Sequence, residues 1–353
     1  MGKITIRDVA QRAGVSLSTV SRVLNHNQSV APELVKKVLA AAQELDYRPG
    51  MSSAPLTASQ FKQIALILPT LENSYYSAIA AGIIDTARNY GQNVIVMQSN
   101  ADHELEQQCL RKLSQMTVDG IIFSGSDAYN PLNSFPSLMR VPTVITARRR
   151  VAPNLPHVYA DNVSAGYIAT KYLLRLRRRR IALLLNFWTN DILDYETFLE
   201  RYHSPAQGTC TAFDRYTGYC NALEEEGLPV EPELIAFSGF SHESGYASAQ
   251  ELLGKSLDFD AVLVSNDLCA TGVLRLFNEQ GIHVPGQVSI ICFNGGLMSS
   301  VVSPALTIVA QNNYELGVQS TEQLNKLLCG EPASDIKLDV KLVIRGSTAL
   351  AAG

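Results

Sequence analysis

The sequence predicts an α/β protein in which a small all-α head precedes a body of two α/β subdomains with a cleft between them. The chain has 353 residues, which is too long for one small core. The head, residues 1–47, contains only segments with a helical spacing of apolar side chains. The body, residues 62–353, contains eight short apolar runs with amphipathic helical segments between most of them. That alternation is typical of parallel sheets covered on both faces, and eight strands are too many for one compact sheet.

The first two predicted helices of the head form a recognisable pair. Thr5 begins a T-x-x-D capping-box pattern for a helix from about Ile6 to Ala13. Ser16 is the expected N-cap of a second helix, Leu17–Leu24. A short turn that contains Gly14 separates the two helices, which is typical of a helix-turn-helix.

A third helix is predicted from Pro32 to about Leu45, with Ala31 where a capping hydroxyl is preferred. Its inward stripe is expected to consist of Val35, Val38, Leu39, Ala42 and Leu45. Residues 48–61, RPGMSSAPLTASQF, are rich in Pro, Gly, Ser and Ala and are expected to be a hinge or linker. The apolar runs that follow are IALILP, NVIVMQ, DGIIFSG, TVITA, IALLLNF, LIAFSG, AVLVSND and SIICFN.

Charge and composition narrow the classes of function. Residues 1–50 carry a net charge of +3, whereas the rest of the chain carries −7, which favours a polyanion-binding head, with chance variation as the alternative. No apolar run is long enough to span a membrane and no signal peptide is visible, so we expect a cytoplasmic protein. The six cysteines show no CxxC pairing, and neither a metal site nor a cofactor is expected.

Motifs along the whole chain resemble the LacI/GalR family of bacterial transcription regulators. The head segments ITIRDVAQRAGVSLSTVSRVLN and VLAAAQELDYRP carry the resemblance, as do YADNVSAGYIATKYL, RYTGYCNALEEEG and LTIVAQNNYELG in the body. The resemblance implies a homodimer whose heads bind a near-palindromic double-stranded DNA operator. It also implies a periplasmic-binding-protein-like body with a ligand cleft for a small-molecule effector, a sugar or sugar derivative.

The resemblance places the second helix in the major groove of DNA. Leu17, Ser18 and Arg22 are then the expected base contacts, since Arg can hold guanine through two hydrogen bonds and Leu can pack on a thymine methyl group. The expected phosphate contacts are Thr5, Ser16, Thr19, Ser21 and Asn25. The alternatives are that Ser16 and Thr19 only cap the helix and that Arg22 is a solvated surface residue.

The hinge departs from the family pattern. Leu56 aligns with the leucine that enters the minor groove in relatives. Gly50 replaces an asparagine, Ala54 replaces an arginine, and Pro55 removes a backbone donor from a very short helix. We therefore expect a weakened or altered hinge helix with fewer DNA contacts.

Within the body, the resemblance implies a first subdomain of about 62–161 and 292–320 and a second of about 162–291 and 321–353. Asp161 is expected to organise their junction. The effector site is placed at Tyr75, Tyr76, Ser124, Arg148, Arg215, Phe240, Asn266, Asp267, Asn294 and Gln311. Ala147 and Asn294 stand where relatives have carboxylates, which favours a cationic pocket and an anionic effector unless another carboxylate compensates.

Three further segments have ordinary structural interpretations. The run RLRRRR, residues 175–180, falls where a helix ends and a strand begins. GFSHESG, residues 239–245, fails the G-x-S-x-G nucleophile pattern, and His242 is expected to begin a helix. Residues 191–208 are an apparent insertion that forms a lid, a dimer contact or, by default, a surface loop, and Trp188 just before it is a fluorescence reporter.

The expected function is a repressor of a carbohydrate-use operon. One alternative is a ligand-sensing relative with weakened DNA binding, because of the hinge. A sugar-acting enzyme is disfavoured, since the sequence contains no G-x-G-x-x-G after a strand, no G-K-[ST] and no H-E-x-x-H. An exported receptor is disfavoured by the missing signal peptide. No heptad tail follows Thr348, so we expect dimers rather than tetramers.

Overall fold

The chain divides between residues 60 and 61 into two compact units, of which the first contains the head and the second contains the body. The computed structural model describes residues 6–24, 31–45, 62–125, 134–149, 152, 154–188, 194–204, 210–255 and 258–351. The predicted hinge with Gly50, Ala54, Pro55 and Leu56 lies outside these residues, as do Thr5 and Asn25.

The head contains three helices among its described residues: α1 (Ile6–Ala13), α2 (Leu17–Leu24) and α3 (Pro32–Glu44). The predicted helices are therefore confirmed. Val9, Val20 and Val38, one from each helix, are fully buried and form the centre of the core. Because α-helical positions advance by about 100° per residue, Leu39 lies off the face that carries Val38, and it is 52% exposed. Its assignment to the inward stripe was wrong.

In the body, the described strands are β1 (Lys62–Leu68), β2 (Gln92–Gln98), β3 (Gly120–Phe123), β4 (Thr143–Thr146), β5 (His157–Ala160), β6 (Ile181–Asn186), β7 (Ile235–Ser238), β8 (Ala261–Val264), β9 (Ser289–Phe293), β10 (Thr307–Gln311), β11 (Ile336–Leu338) and β12 (Val340–Val343). The described α-helices are α4 (Ser74–Asn89), α5 (His103–Leu113), α6 (Asn162–Arg175), α7 (Tyr195–His203), α8 (Thr211–Glu224), α9 (His242–Gly254), α10 (Asp267–Glu279), α11 (Met298–Val301) and α12 (Asn313–Leu328).

These strands form two sheets, each the centre of one lobe. The first lobe has the strand order β11-β5-β4-β3-β1-β2, and the second has β12-β10-β9-β8-β6-β7. All neighbouring strands run parallel except β10 and β12. Strand β1 shows why its apolar run is nearly continuous: Ile64 and Leu66 pack in the core that includes α4 and α12, whereas Ala65 and Ile67 pack in the core that includes α5. Both faces of the sheet are thus covered.

The chain passes between the lobes three times, at Asp161, Asn312 and Asp339, and two of the predicted subdomain boundaries were wrong. The predicted first subdomain included residues 292–311, but β9 and β10 pair with each other in the second sheet. The predicted second subdomain included residues 321–338, but α12 packs against α4 and β11 pairs with β5. Strand β10, which ends at Gln311, still belongs to the second sheet, and the chain enters the first lobe again only after Asn312.

The apparent insertion contains a packed helix, so its default interpretation as a surface loop was wrong for the described residues. Phe198 of α7 is fully buried and contacts the rings of Phe213, Tyr216 and Phe237. Two other interpretations are confirmed: α6 ends at Arg175 before β6, and α9 begins at His242. Among the described residues, none of the helices combines the length and apolar character needed to span a bilayer.

Candidate nucleic-acid interface and effector cleft

One side of α2 is exposed and chemically mixed. Leu17 is 45% exposed, and Ser18 and Arg22 are exposed beside it, while Val20 and Val23 on the other side are buried. An exposed leucine next to a hydroxyl and a guanidinium offers the apolar and polar contacts by which side chains read base edges in the major groove.

The hydroxyl groups at the start of α2 are already engaged within the head. The Thr19 backbone N–H donates to Ser16 Oγ at 3.2 Å, so Ser16 is the predicted N-cap. Ser16 Oγ also hydrogen-bonds Ser18 Oγ at 2.9 Å and Thr19 Oγ1 at 2.8 Å. The capping interpretation is therefore correct, and it leaves these hydroxyls at the helix N-terminus, where backbone N–H groups attract phosphate.

In the body, most predicted effector residues follow the carboxyl ends of strands. Ser124 follows β3, Arg148 follows β4, Phe240 follows β7, Asn294 follows β9, and Gln311 ends β10. Parallel strands bring such residues to one edge of each sheet, which is where α/β proteins bind ligands. Tyr75 and Tyr76 lie in the first turn of α4, directly after β1, and both are buried.

Arg215 is a buried residue of the second lobe whose guanidinium hydrogen-bonds other protein groups. It is 3% exposed, and it donates from Nε to Asn162 Oδ1 at 3.0 Å, from Nη1 to the Ser265 carbonyl at 2.8 Å and from Nη2 to Asn294 Oδ1 at 3.1 Å. Its guanidinium lies 4.3 Å from the centre of the Phe293 ring. Burial lowers the pKa of Arg215 to about 10, so the group stays charged at neutral pH.

Two neighbours explain how Arg215 is held in place. Asn162, which the sequence analysis missed, accepts hydrogen bonds from Arg215 and, at 2.6 Å, from Gln311 Nε2. Gly166 of α6 allows α8 to approach, because a Cβ at that position would overlap the carbonyl oxygen of Arg215. The only sequence signal for Asn162 was its place beside Asp161 at the junction.

An aromatic cluster crosses the cleft. Trp188, after β6, stacks on Phe240 with ring centres 3.8 Å apart and planes at 19°, and it lies 6.3 Å from the Tyr76 ring of the first lobe. A cavity of about 410 Å³ borders the rings of Trp188 and Phe240. It is lined by Thr70, Glu72, Asn73 and Asn100 from the first lobe and by Trp188, Phe240, Ser241 and Leu268 from the second. Trp188 therefore belongs to the cleft as well as reporting on it.

Among the described residues, six buried polar side-chain atoms have no hydrogen-bond partner. Three of them belong to the last residue of a strand or to the residue directly after it: Ser124 Oγ, Asn186 Oδ1 and Gln311 Oε1. Such an orphaned group costs about 1–3 kcal/mol. Ser124 and Gln311 are predicted effector residues, whereas Asn186 was missed. Their common position at strand ends favours a ligand with several hydroxyl groups.

Asn266 and Asp267 have structural partners instead. Asn266 Oδ1 accepts from the Cys269 N–H at 2.8 Å as the N-cap of α10. Asp267 Oδ2 accepts from the Gly296 N–H at 2.9 Å, and the Ser74 side chain of the first lobe also hydrogen-bonds this carboxylate. Burial raises the pKa of Asp267.

The described residues near the cleft include charges of both signs. Arg149, next to Arg148, donates to both carboxylate oxygens of Asp214. This bond raises the pKa of Arg149. Glu72 lines the cavity itself. Asp214 thus offsets the charge of Arg149.

Comparison with known proteins gives matches to both the head and the body. Residues 5–50 match the model of bacterial regulatory proteins of the lacI family, and residues 62–341 match the model of periplasmic binding proteins and the sugar binding domain of the LacI family. The HTH-type transcriptional regulator RegA of Clostridium saccharobutylicum is 32% identical over 92% of this chain and 92% of its own length.

Two solved structures share the architecture at 25% identity. The transcriptional regulator CelR in complex with cellobiose has a TM-score of 0.71 and covers 98% of this chain and 100% of its own. The lac repressor dimer bound to operator and the anti-inducer ONPF has a TM-score of 0.69 and covers 99% and 100%. With a head and a body that each match in order and at nearly full length, this chain belongs to the LacI family of bacterial transcription regulators.

Proposed function

We propose that this protein is a repressor of a carbohydrate-use operon whose affinity for operator DNA is controlled by a sugar-like effector bound between the two lobes. The observation that carries the proposal is the cleft, where an aromatic stack adjoins a cavity and buried strand-end polar atoms lack partners. A sugar ring supplies an apolar face for the stack and hydroxyl groups for the polar atoms.

The DNA contacts are assigned to the exposed side of α2. Leu17, Ser18 and Arg22 read bases, and Ser16, Thr19 and Ser21 contact phosphates, as do Thr5 and Asn25 outside the described residues. Leu56, also outside the described residues, is assigned to the minor groove. The protein acts as a homodimer on a near-palindromic operator, in the cytoplasm, and has no catalytic role of its own. The solved complex of the lac repressor dimer with operator DNA supports this assignment.

The effector is assigned to the cleft with Tyr75, Tyr76 and Arg148 on the first lobe and Phe240 on the second. Ser124 and Gln311 accept its hydroxyl protons, and Asn186 joins them. The acidic Glu72 in the cavity lining favours an uncharged sugar over a sugar phosphate. The cellobiose complex of CelR makes cellobiose the first candidate to test.

Control of DNA binding requires only that the effector bind one arrangement of the lobes more tightly than another. Whether the effector releases the operator or promotes binding follows from which arrangement it prefers. A ligand sensor with weakened DNA binding is the second candidate, favoured by Pro55 in the hinge sequence.

The test has two steps. Selection from a randomised DNA pool should enrich a near-palindrome; salt-sensitive, sequence-blind binding would instead favour the second candidate. A panel of neutral sugars that includes cellobiose, with the matching sugar phosphates, is then titrated while the emission of Trp188, the only tryptophan, is followed. A neutral sugar should change the emission, and a panel without any response would contradict the assigned effector class.

A further inference from the structure

An ion pair connects the two lobes near their junction, where Arg149 lines a cavity together with Asp161 and Lys337. Arg149 lies in the loop after β4 of the first lobe, and Asp214 lies in the first turn of α8 in the second. Arg149 Nε donates to Asp214 Oδ2 at 2.8 Å, and Nη2 donates to Oδ1. Two parallel hydrogen bonds between planar groups fix both the distance and the angle between them.

The pair is sheltered from solvent. The Asp214 side chain is 7% exposed and the Arg149 side chain is 23% exposed. Other ion pairs of the body, such as Arg180–Glu231, are more exposed and lie within one lobe. Breaking a sheltered, hydrogen-bonded ion pair is strongly destabilising, so this pair favours the arrangement of the lobes in which it is formed.

Through its position in the sequence, Asp214 also connects the first lobe to the buried arginine of the second lobe. It immediately precedes Arg215, whose guanidinium holds Asn162, the Ser265 carbonyl and Asn294. A displacement of Arg149 with the first lobe therefore acts on the helix turn that carries Arg215.

We propose that Arg149 and Asp214 are positioning residues that hold the lobes in the arrangement seen here, in which Trp188 lies against Tyr76 across the cleft. The pair sets the balance between lobe arrangements, and through that balance it sets operator affinity. The second statement rests on the proposed function, whereas the first does not.

Quenching of Trp188 fluorescence by acrylamide tests the first statement in the absence of effector and DNA. Asp214→Asn and Arg149→Gln in the full chain should each raise the acrylamide quenching constant of Trp188 by at least about twofold, because the lobes separate more often. The double variant should exceed neither single variant by much, since both remove one interaction. Glu231→Gln, which breaks the Arg180 pair within the second lobe, is the matched control and should leave quenching unchanged.

Far-UV circular dichroism checks that each variant is folded. Arg149→Lys keeps the charge but loses the two-point geometry, and its smaller rise in quenching provides the test if Asp214→Asn does not fold. Unchanged quenching in the folded variants overturns the proposal.

The regulatory statement is tested on the operator obtained by selection. Asp214→Asn should change operator Kd by about fivefold or more, in the range typical of coupled sites, while Glu231→Gln should not. Increased quenching with unchanged operator Kd would overturn the regulatory role and leave the proposed function standing.

Discussion

The head and the cleft place their functional side chains in opposite ways. On α2, Leu17, Ser18 and Arg22 point away from a separate core built on Val9, Val20 and Val38. In the cleft, Arg215, Asn294 and Gln311 hydrogen-bond structural neighbours and are thus part of the scaffold. Substitutions of these α2 residues should therefore weaken DNA binding without changing the stability of the protein. Substitutions of these cleft residues should lower the stability as well as ligand binding.

The largest expected effect is on stability at the cleft. Arg215→Leu removes a buried guanidinium from Asn162, Ser265 and Asn294, and should lower the free energy of unfolding by about 3 kcal/mol. Urea denaturation followed by circular dichroism measures it. A loss below about 1 kcal/mol would show that Arg215 is dispensable to the scaffold and would remove the contrast with the head.

Arg22→Ala tests the other side of the comparison. We expect operator binding to weaken by about 1–3 kcal/mol at moderate salt, with relaxed preference at one position of each half-site. Stability should stay unchanged, because Arg22 is exposed. Arg22→Lys is the control, because it keeps the positive charge. If both variants lose sequence preference equally, Arg22 recognises a base through two hydrogen bonds. If Arg22→Lys binds as the unchanged protein does, Arg22 contacts a phosphate.

The Trp188–Phe240 stack tests whether side chains assigned to the effector site also stabilise the protein. A double-mutant cycle with Trp188→Ala and Phe240→Ala, measured by urea denaturation, should give a coupling energy of about 0.5–1.5 kcal/mol. The stack would then contribute to the scaffold as well as to the assigned effector site. A coupling near zero would mean that the two rings serve ligand binding alone.

The smallest expected effect concerns His157 in β5. Burial lowers the pKa of this histidine despite Asp335 beside it, so its neutral form is favoured in the folded state. The unfolded state then binds the proton more readily, and stability is full above pH 6.5 and falls as the pH drops below it. Urea midpoints between pH 5.5 and about 7.5 should show the decline, and His157→Gln should flatten it.

Local signals made the head predictable. Ser16, the Gly14 turn and Pro32 mark helix ends through capping and turn chemistry that acts within a few residues. The short apolar runs of the body identified eight of the twelve described strands, because burial on both faces of a sheet leaves a nearly continuous apolar run in each strand. Strands β5, β10, β11 and β12 were not among the eight runs. Strands β11 and β12 have no fully buried residue, which explains why they lack a continuous apolar run.

Contacts between residues that are far apart in the sequence could not be predicted from such local patterns. Membership of β9 and β10 in the second sheet depends on which strand each meets, and the apolar pattern is the same for either sheet. Asp214 pairs with a residue 65 positions away, so nothing in its own segment showed that it offsets Arg149. Trp188 had no motif of its own; only its place after a strand end could have indicated the cleft.

The central claim is that the cleft and the DNA-reading face are coupled. The most direct measurement is operator Kd with and without a saturating concentration of the neutral sugar that changes Trp188 emission. We predict a change of about fivefold or more, and operator DNA should alter the affinity for that sugar by the same factor, since coupling is reciprocal. Equal operator Kd values in the presence and absence of a sugar that demonstrably fills the cleft would contradict the account.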